Sequence, residues 1–264
     1  MTEQNNPIPV VLVLAGHDPS GGAGIHADIE AIGQRGCHAA SVITALTAQN
    51  TTRLTHVLPQ DAGRFAEQLE LIAEDMPLAA CKIGVCPSAM VIDVIADFLD
   101  RHSDLPVVLD PVTVAGSGGE FLEDEALEHL RQQLLPRATL ATPNAREARQ
   151  ISRQLGLPQA AAALLDSGAN AVLITGGDEA DAEVINTLYT ATNEPQAFHY
   201  ERLPGRFHGS GCTLAAAISA DLARGENLVT AVMNGLDYTW HCLREAHAFG
   251  QAQQHPNRLY RQTP

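Results

Sequence analysis

Short apolar runs alternate along this chain with stretches whose apolar positions recur every three or four residues. That alternation predicts a mostly parallel sheet covered by helices. VVLVLA (10–15) reads as a first strand and 38–48 contains a second, and buried strands are expected at 79–85, 105–110, 138–143 and 170–177. Between them, Ile25, Ile29 and Ile32 mark one helix face. Phe65, Leu69 and Ile72 mark a helix that starts at Asp61, a candidate N-cap. Two more helices carry Val91, Val94 and Phe98, and Leu127, Leu130 and Leu134. VINTLYT (184–190) and QAFHYERL (196–203) read as an antiparallel hairpin at a sheet edge. From Gly211 the chain is mainly helical, with Leu214, Ile218 and Leu222 on one stripe. Trp240, on an amphipathic helix with Leu236 and Leu243, is expected to pack or to form an oligomer contact. No long linker, repeat or low-complexity tract divides the sequence, so 1–264 is expected to be one α/β domain, with a polar, loosely held tail over about 250–264.

Composition narrows the function. The formal net charge of −15, from 31 acidic and 16 basic residues, argues against a nucleic-acid surface, because phosphate neutralisation needs clustered Lys and Arg. The apolar stretch IPVVLVLA (8–15) has roughly half the length needed to cross a bilayer and lacks a basic flank, so no membrane segment or signal peptide is expected and the cytoplasm is the expected location. Five cysteines with no CxxC pair read as reduced thiols, with Cys37, Cys81 and Cys86 as small core residues. Any anionic ligand must then be held by backbone N–H groups, helix ends or a metal.

In open parallel sheets ligands bind beyond the carboxyl ends of the strands, so the residues after each strand are the candidates. AGHDPSGGAGIHAD (15–28) supplies Gly16 and a glycine-rich entry into a helix bearing Asp28, but neither the dinucleotide spacing nor a P-loop. TALTAQNT (44–51) brings Gln49, whose amide suits the edge of a nitrogen heterocycle or, equally, a backbone contact. Asp110 and, one strand on, Asn144 and Glu147 offer oxygens for Mg²⁺ with nucleotide phosphates; Asn144 and Glu147 also read as an N-cap and its capping box. In FHGSGCTLAA (207–216), Gly209, Ser210, Gly211 and Cys212 lie where a loop becomes a helix, so their amides point at one space with the positive end of the helix dipole behind them.

In this order AGHDPSGGAGIHAD, SVITALTAQNT, CKIGV, VVLDPV, SGG, LLPRATLATPNAREA and HGSGCTL resemble the hydroxymethylpyrimidine/phosphomethylpyrimidine kinases of thiamine biosynthesis, of the ribokinase-like fold, over nearly the whole chain. The resemblance implies a three-layer α/β/α architecture with a small antiparallel edge. It implies ATP-dependent phosphorylation of 4-amino-5-hydroxymethyl-2-methylpyrimidine and of its monophosphate, with ATP and Mg²⁺ as cofactors and a homodimer as the assembly. By the same resemblance, Gly16, Asp28, Gln49, Val85, Val112 and Cys212 contact the pyrimidine, and Asp28 and Gln49 hydrogen-bond it. Gly209, Ser210, Gly211 and Cys212 form a catalytic anion hole, with Cys212 as base if the helix start stabilises its thiolate. Asn144, Thr175, Gly177, Gly209 and Gly211 face the nucleotide, and Asp110 and Glu147 the metal.

The sequence departs from the family at ITGGDEADAEVIN (174–186), where Thr175 stands in place of a phosphate-contacting lysine; Arg206 and Lys82 are the candidate compensating charges. Ser210 stands for a threonine. A pyridoxal kinase of the same fold and a non-catalytic pyrimidine-binding protein are the alternatives.

Overall fold

The computed structural model of the chain describes residues 7–114, 121 and 124–260. The SGG motif at 117–119 lies outside them. The strands are β1 (Val10–His17), β2 (His38–Gln49), β3 (Leu54–Pro59), β4 (Leu78–Ile83), β5 (Val107–Leu109), β6 (Leu140–Ala141), β7 (Ala171–Ile174), β8 (Glu183–Thr190) and β9 (Gln196–Glu201). They form one sheet in the order β3-β2-β1-β4-β5-β6-β7-β8-β9. From β2 to β7 every pairing is parallel; β3 at one edge, and β8 and β9 at the other, run antiparallel to their neighbours.

The central strands are buried on both faces, which is why they read as unbroken apolar runs. On β1, Leu12 and Leu14 face one layer and Val11, Val13 and Ala15 the other. The first layer contains α2 (Ala62–Asp75), α3 (Ala89–Arg101), α4 (Asp124–His129), α5 (Ala145–Ser152) and α6 (Leu157–Asp166), packed through Phe65, Leu69, Ile95, Phe98, Ile151 and Leu164. The second contains α1 (Gly24–Gln34), α7 (Ser210–Ala223) and α8 (Leu228–Arg244), packed through Ile25, Ile32, Ala217, Ile218 and Leu236. The expected three-layer α/β/α arrangement is therefore present.

Some expectations change in detail. Ile29, at 43% exposure, lies off the buried stripe of α1, where Ala27, Asp28 and Ala31 complete the packed face beside Ile25 and Ile32. The repeat Leu127, Leu130, Leu134 does not extend one α-helix, because α4 runs into a π turn at Leu130–Leu134 and a 3-10 turn at Leu135–Arg137. As far as Tyr260 the tail is held in place: Gln253, His255, Arg258 and Tyr260 are buried, and the Asn257 amide bonds the Cys242 carbonyl at 2.9 Å; residues 261–264 lie outside the described residues. Gln253 and Arg258 donate to partners inside the protein, which composition does not show.

At β1 the chain winds to β2 on one side and, later, to β4 on the other, so this is the topological switch point where a crevice opens at the carboxyl edge. Two caps fix helices on that rim and below it. Asp61 Oδ1 accepts from the Arg64 amide at 2.9 Å, and Asn144 Oδ1 from the Glu147 amide at 2.8 Å. Asp61→Ala is expected to lower unfolding free energy by about 1 kcal/mol without altering the denaturant slope, as read from urea titration.

Candidate active site

The crevice is a cavity of about 500 Å³ lined by the ends of β1, β2, β4, β5 and β7 and by the starts of α5 and α7. Gly16, Gln49, Val85, Val112, Asp110, Asn144, Glu147, Thr175, Gly177 and all four of Gly209, Ser210, Gly211 and Cys212 are on its wall. The strand-end rule thus gathers every candidate except Asp28. Gly16 is required there by space, since a Cβ would come within 2.6 Å of Val85 Cγ1.

Asp28 is fully buried behind the wall, and its place at the cavity is taken by Lys82. Lys82 Nζ lies 3.0 Å from both carboxylate oxygens of Asp28 and 3.9 Å from Asp110 Oδ2. Asp28 thus does not line the cavity itself and reaches it through the lysine. Burial pushes the Asp28 carboxyl up to about 6, with Lys82 opposing the rise. Burial also works against the ammonium, but Asp28, Cys212 and Asp110 outweigh it and hold Lys82 above the ordinary lysine range. This commitment also corrects the idea that Lys82 replaces the missing nucleotide-end charge.

The start of α7 is open. Its N-cap, Gly209, has φ 76° and ψ 23°, and no side chain caps the first turn. At α5, by contrast, Asn144 takes the Glu147 amide while Asp178, absent from the sequence reading, accepts from the Ala145 and Arg146 amides at 3.3 and 3.1 Å. Free amides and helix dipole therefore favour an anion at α7 rather than α5.

Burial pushes the Cys212 thiol up to about 12; Lys82 opposes the rise, and Asp110 and Asp28 add to it. A thiol raised this far disfavours the thiolate that a general base would need at neutral pH.

Asp110 and Glu147 fit a hard cation. Asp110 Oδ2 is buried with no hydrogen-bond partner, and Gly211 sits over this carboxylate with space for a Cβ 3.6 Å from Oδ1. Burial, then the charge on Asp110, pushes Glu147 up to about 8, a strain that a divalent cation would relieve. Glu147 also holds the Asn144 amide through Oε2 at 2.9 Å, so the capping-box reading of this pair holds. No group of three or more His, Cys, Asp or Glu placed to hold a metal occurs among the described residues. That suits Mg²⁺, which takes one or two carboxylates plus phosphates and water.

Trp240 is also on the cavity wall, with Tyr200, Leu236 and Leu243, its Nε1 donating to the Glu201 carbonyl at 3.0 Å. Packing alone does not describe it. Amphipathic spacing correctly places its helix but not the cavity that α8 borders.

A family model described as phosphomethylpyrimidine kinase matches residues 18–257. The chain belongs to the phosphomethylpyrimidine kinase family. It is 37% identical over 240 residues to a hydroxymethylpyrimidine/phosphomethylpyrimidine kinase of Haemophilus influenzae, covering 86% of this chain and 88% of the relative. Among solved structures it resembles phosphomethylpyrimidine kinase from Clostridium difficile, with TM-score 0.76 and 33% identity over 89% of this chain and 98% of that one. It also resembles Bacillus subtilis pyridoxal kinase, solved as an ADP complex, with TM-score 0.87 and 29% identity over 96% and 98%. No helix among the described residues is long and apolar enough to cross a membrane.

Two family motifs meet at Asp18. Its carboxylate accepts from the Ser20 and Ala23 amides, each at 2.9 Å, and pairs with His208 Nε2 at 2.8 Å. Burial works to raise the Asp18 carboxyl, but the His208 and Ser20 hydrogen bonds outweigh it and hold the group at about 2. A depressed carboxyl contributes stability above its unfolded value, near 3.8, and loses it as pH falls toward 2. The stability difference between wild type and Asp18→Asn is expected to be flat above about pH 5 and to shrink between about pH 4 and 2 in chemical denaturation.

Proposed function

We propose that this chain transfers the γ-phosphoryl group of ATP to the hydroxymethyl oxygen of 4-amino-5-hydroxymethyl-2-methylpyrimidine, and then phosphorylates the monophosphate, in the supply of thiamine diphosphate. The observation that carries this reading is the uncapped start of α7, with Gly211 beside Asp110, on one cavity that Lys82 and Gln49 also line. Family membership and relatives named for this activity support the pyrimidine as acceptor. Likeness of fold alone does not separate it from pyridoxal.

The pyrimidine occupies the end formed by Gly16, Gln49, Lys82, Val85 and Val112. Gln49 and the Lys82 ammonium meet the heteroatom edge, while Val85 and Val112 cover the ring faces. Val85 is held in place by Thr44, whose hydroxyl donates to its carbonyl at 2.5 Å. The adenine end is formed by Tyr200, Leu236, Trp240 and Leu243, and the polyphosphate runs past Asn144, Thr175 and Gly177 toward Gly209. Asp110 and Glu147 would hold Mg²⁺, which would supply charge neutralisation to the phosphates.

The attacking oxygen forms the new P–O bond as the bond from Pγ to the β–γ bridging oxygen breaks and ADP departs. Charge gathered on the transferring group is met by the amides of Gly209 to Cys212, preorganised before substrate arrives. In a loose transition state the hydroxyl proton leaves late and passes to an oxygen of the transferred phosphoryl group, so a neutral thiol beside it is no obstacle. Cys212 then acts as a compact wall of the cradle. The dimer, the cytoplasmic location and the absence of a nucleic-acid partner belong to this same reading; the −15 net charge supports the last.

Release of ADP is expected with the hydroxymethylpyrimidine and its monophosphate, and at background level with pyridoxal or with no acceptor. Turnover on pyridoxal equal to that on the pyrimidine would overturn the substrate assignment. Cys212→Ala is expected to keep kcat within about tenfold, whereas loss of a general base costs about 10² to 10⁴. Trp240 is the single tryptophan of the chain, so MgADP is expected to shift its fluorescence saturably; an unchanged spectrum at saturation would remove it from the adenine end.

A further inference from the structure

Arg258 lies in the segment expected to be loose, yet its side chain is 1% exposed and its guanidinium is spent on the two loops that form the cavity floor. Nε donates to Thr213 Oγ1 at 2.8 Å, Nη1 to the Gly21 carbonyl at 3.4 Å and to Glu30 Oε2 at 3.0 Å, and Nη2 to the Gly22 carbonyl. Thr213 in turn donates its hydroxyl to the Gly209 carbonyl at 2.8 Å. An unbroken hydrogen-bonded path thus runs from Arg258 through Thr213 to the left-handed N-cap of α7.

The residues just before Arg258 reinforce the same loop. The Gln254 carbonyl accepts from the His208 amide and the Gln254 amide donates to the Arg206 carbonyl, both at 2.8 Å, while Gln253 Nε2 donates to the Phe207 carbonyl at 3.1 Å. The glycine turn and the cradle also touch directly, since a Cβ on Gly209 would lie 2.1 Å from the Gly22 carbonyl oxygen. We infer that Arg258 is a positioning residue for phosphoryl transfer: it fixes the amides of Gly209 to Cys212 against the turn at Gly21 and Gly22. This rests on the cradle reading above. Arg258 itself is absent from the cavity wall, so it acts only through the groups it holds.

A misplacement of catalytic groups by about 1 Å can cost about 10² in rate, so the effect belongs in kcat rather than in ground-state binding. Arg258→Ala is expected to lower kcat about 10- to 100-fold with KM for MgATP within about threefold, and added guanidinium ion is expected to restore part of the loss. Thr213→Val, which removes only the relay hydroxyl, is expected to lower kcat about tenfold, and Thr213→Ser to keep it. Circular dichroism melts establish that each variant is folded at the assay temperature. If Arg258→Ala does not fold, the Thr213 pair carries the test.

Folded Arg258→Ala with kcat within twofold of wild type, or Thr213→Val equal to Thr213→Ser, overturns the inference. Gly209→Ala separates the two readings. If it leaves kcat unchanged the cradle itself is wrong, and if it abolishes turnover while Thr213→Val does not, only the role of Arg258 is lost.

Discussion

A lysine wholly removed from water in the middle of the sheet is the constraint on which this site depends. Lys82 is on β4 opposite Val13 of β1, facing the layer of α1 and α7. An unpaired ammonium there would be costly, and Asp28 from α1 supplies the pair at 3.0 Å. That pairing ties α1 to β4 and turns the ammonium toward the cavity. It also sets the electrostatics of everything around it. One buried cation faces Asp28 and Asp110, and Glu147 lies nearby under the influence of Asp110. Burial pushes the Cys212 thiol and the Glu147 carboxyl up, the charge on Asp110 adds to both rises, and Asp110 Oδ2 has no hydrogen-bond partner. A pocket in this state favours a ligand that arrives with a divalent cation, as a nucleotide polyphosphate does.

The anion side of the site is made of backbone, and it depends on two close approaches that only glycine permits. Gly24, at φ 59°, would place a Cβ 2.1 Å from the Gly16 carbonyl oxygen, and Gly209, at φ 76°, one equally near that of Gly22. Stacking the β1 turn against the α7 start in this way leaves the first-turn amides of α7 open to an anion with no side chain capping them. The buried Asp18–His208 hydrogen bond joins the same two segments, adding a polar contact to the steric one.

Much of this was legible because its signals are local. The apolar runs of β1 and β4, the cap at Asp61, the capping box of Asn144 and Glu147, and the loop-to-helix change at Gly209 each express a short-range rule. What was not legible depends on distant partners. β3, LTHVLP, is largely exposed and pairs only with the overhanging end of β2, so no burial pattern marks it. α6 is alanine-rich, with little contrast between its faces. Asp28 was recognised as important, but its separation from the cavity by Lys82 follows from strand register, in which Lys82 pairs with Val13. Arg258 carried no signal at all, because a polar residue in a polar tail looks solvated until its carbonyl partners, more than two hundred residues earlier, are in place.

The departure at Thr175 acquires a physical meaning from the same bookkeeping of charge. Where the family has lysine, two glycines and histidine, this chain has Thr175, Gly176, Gly177 and Asp178, which makes the end of β7 more negative. Asp178 is not wasted on solvent, since it closes the start of α5 and leaves α7 as the open helix start on this wall. Besides Lys82 and Arg206, one more cation on this wall lies just after β9. Arg202, just beyond that strand and on the cavity wall, donates from Nη1 to the Gly177 carbonyl at 2.9 Å and from Nε to the Asp181 carbonyl at 2.8 Å. Its guanidinium thus braces the β7–β8 loop through main-chain oxygens, placing positive charge beside Gly177 that a lysine at 175 would have brought from the neighbouring strand end. A planar, permanently charged fork can bind carbonyls and still present charge to the cavity, which a single ammonium does less well. If the nucleotide lies as proposed, its phosphates keep a cation nearby, on Arg202 rather than on residue 175.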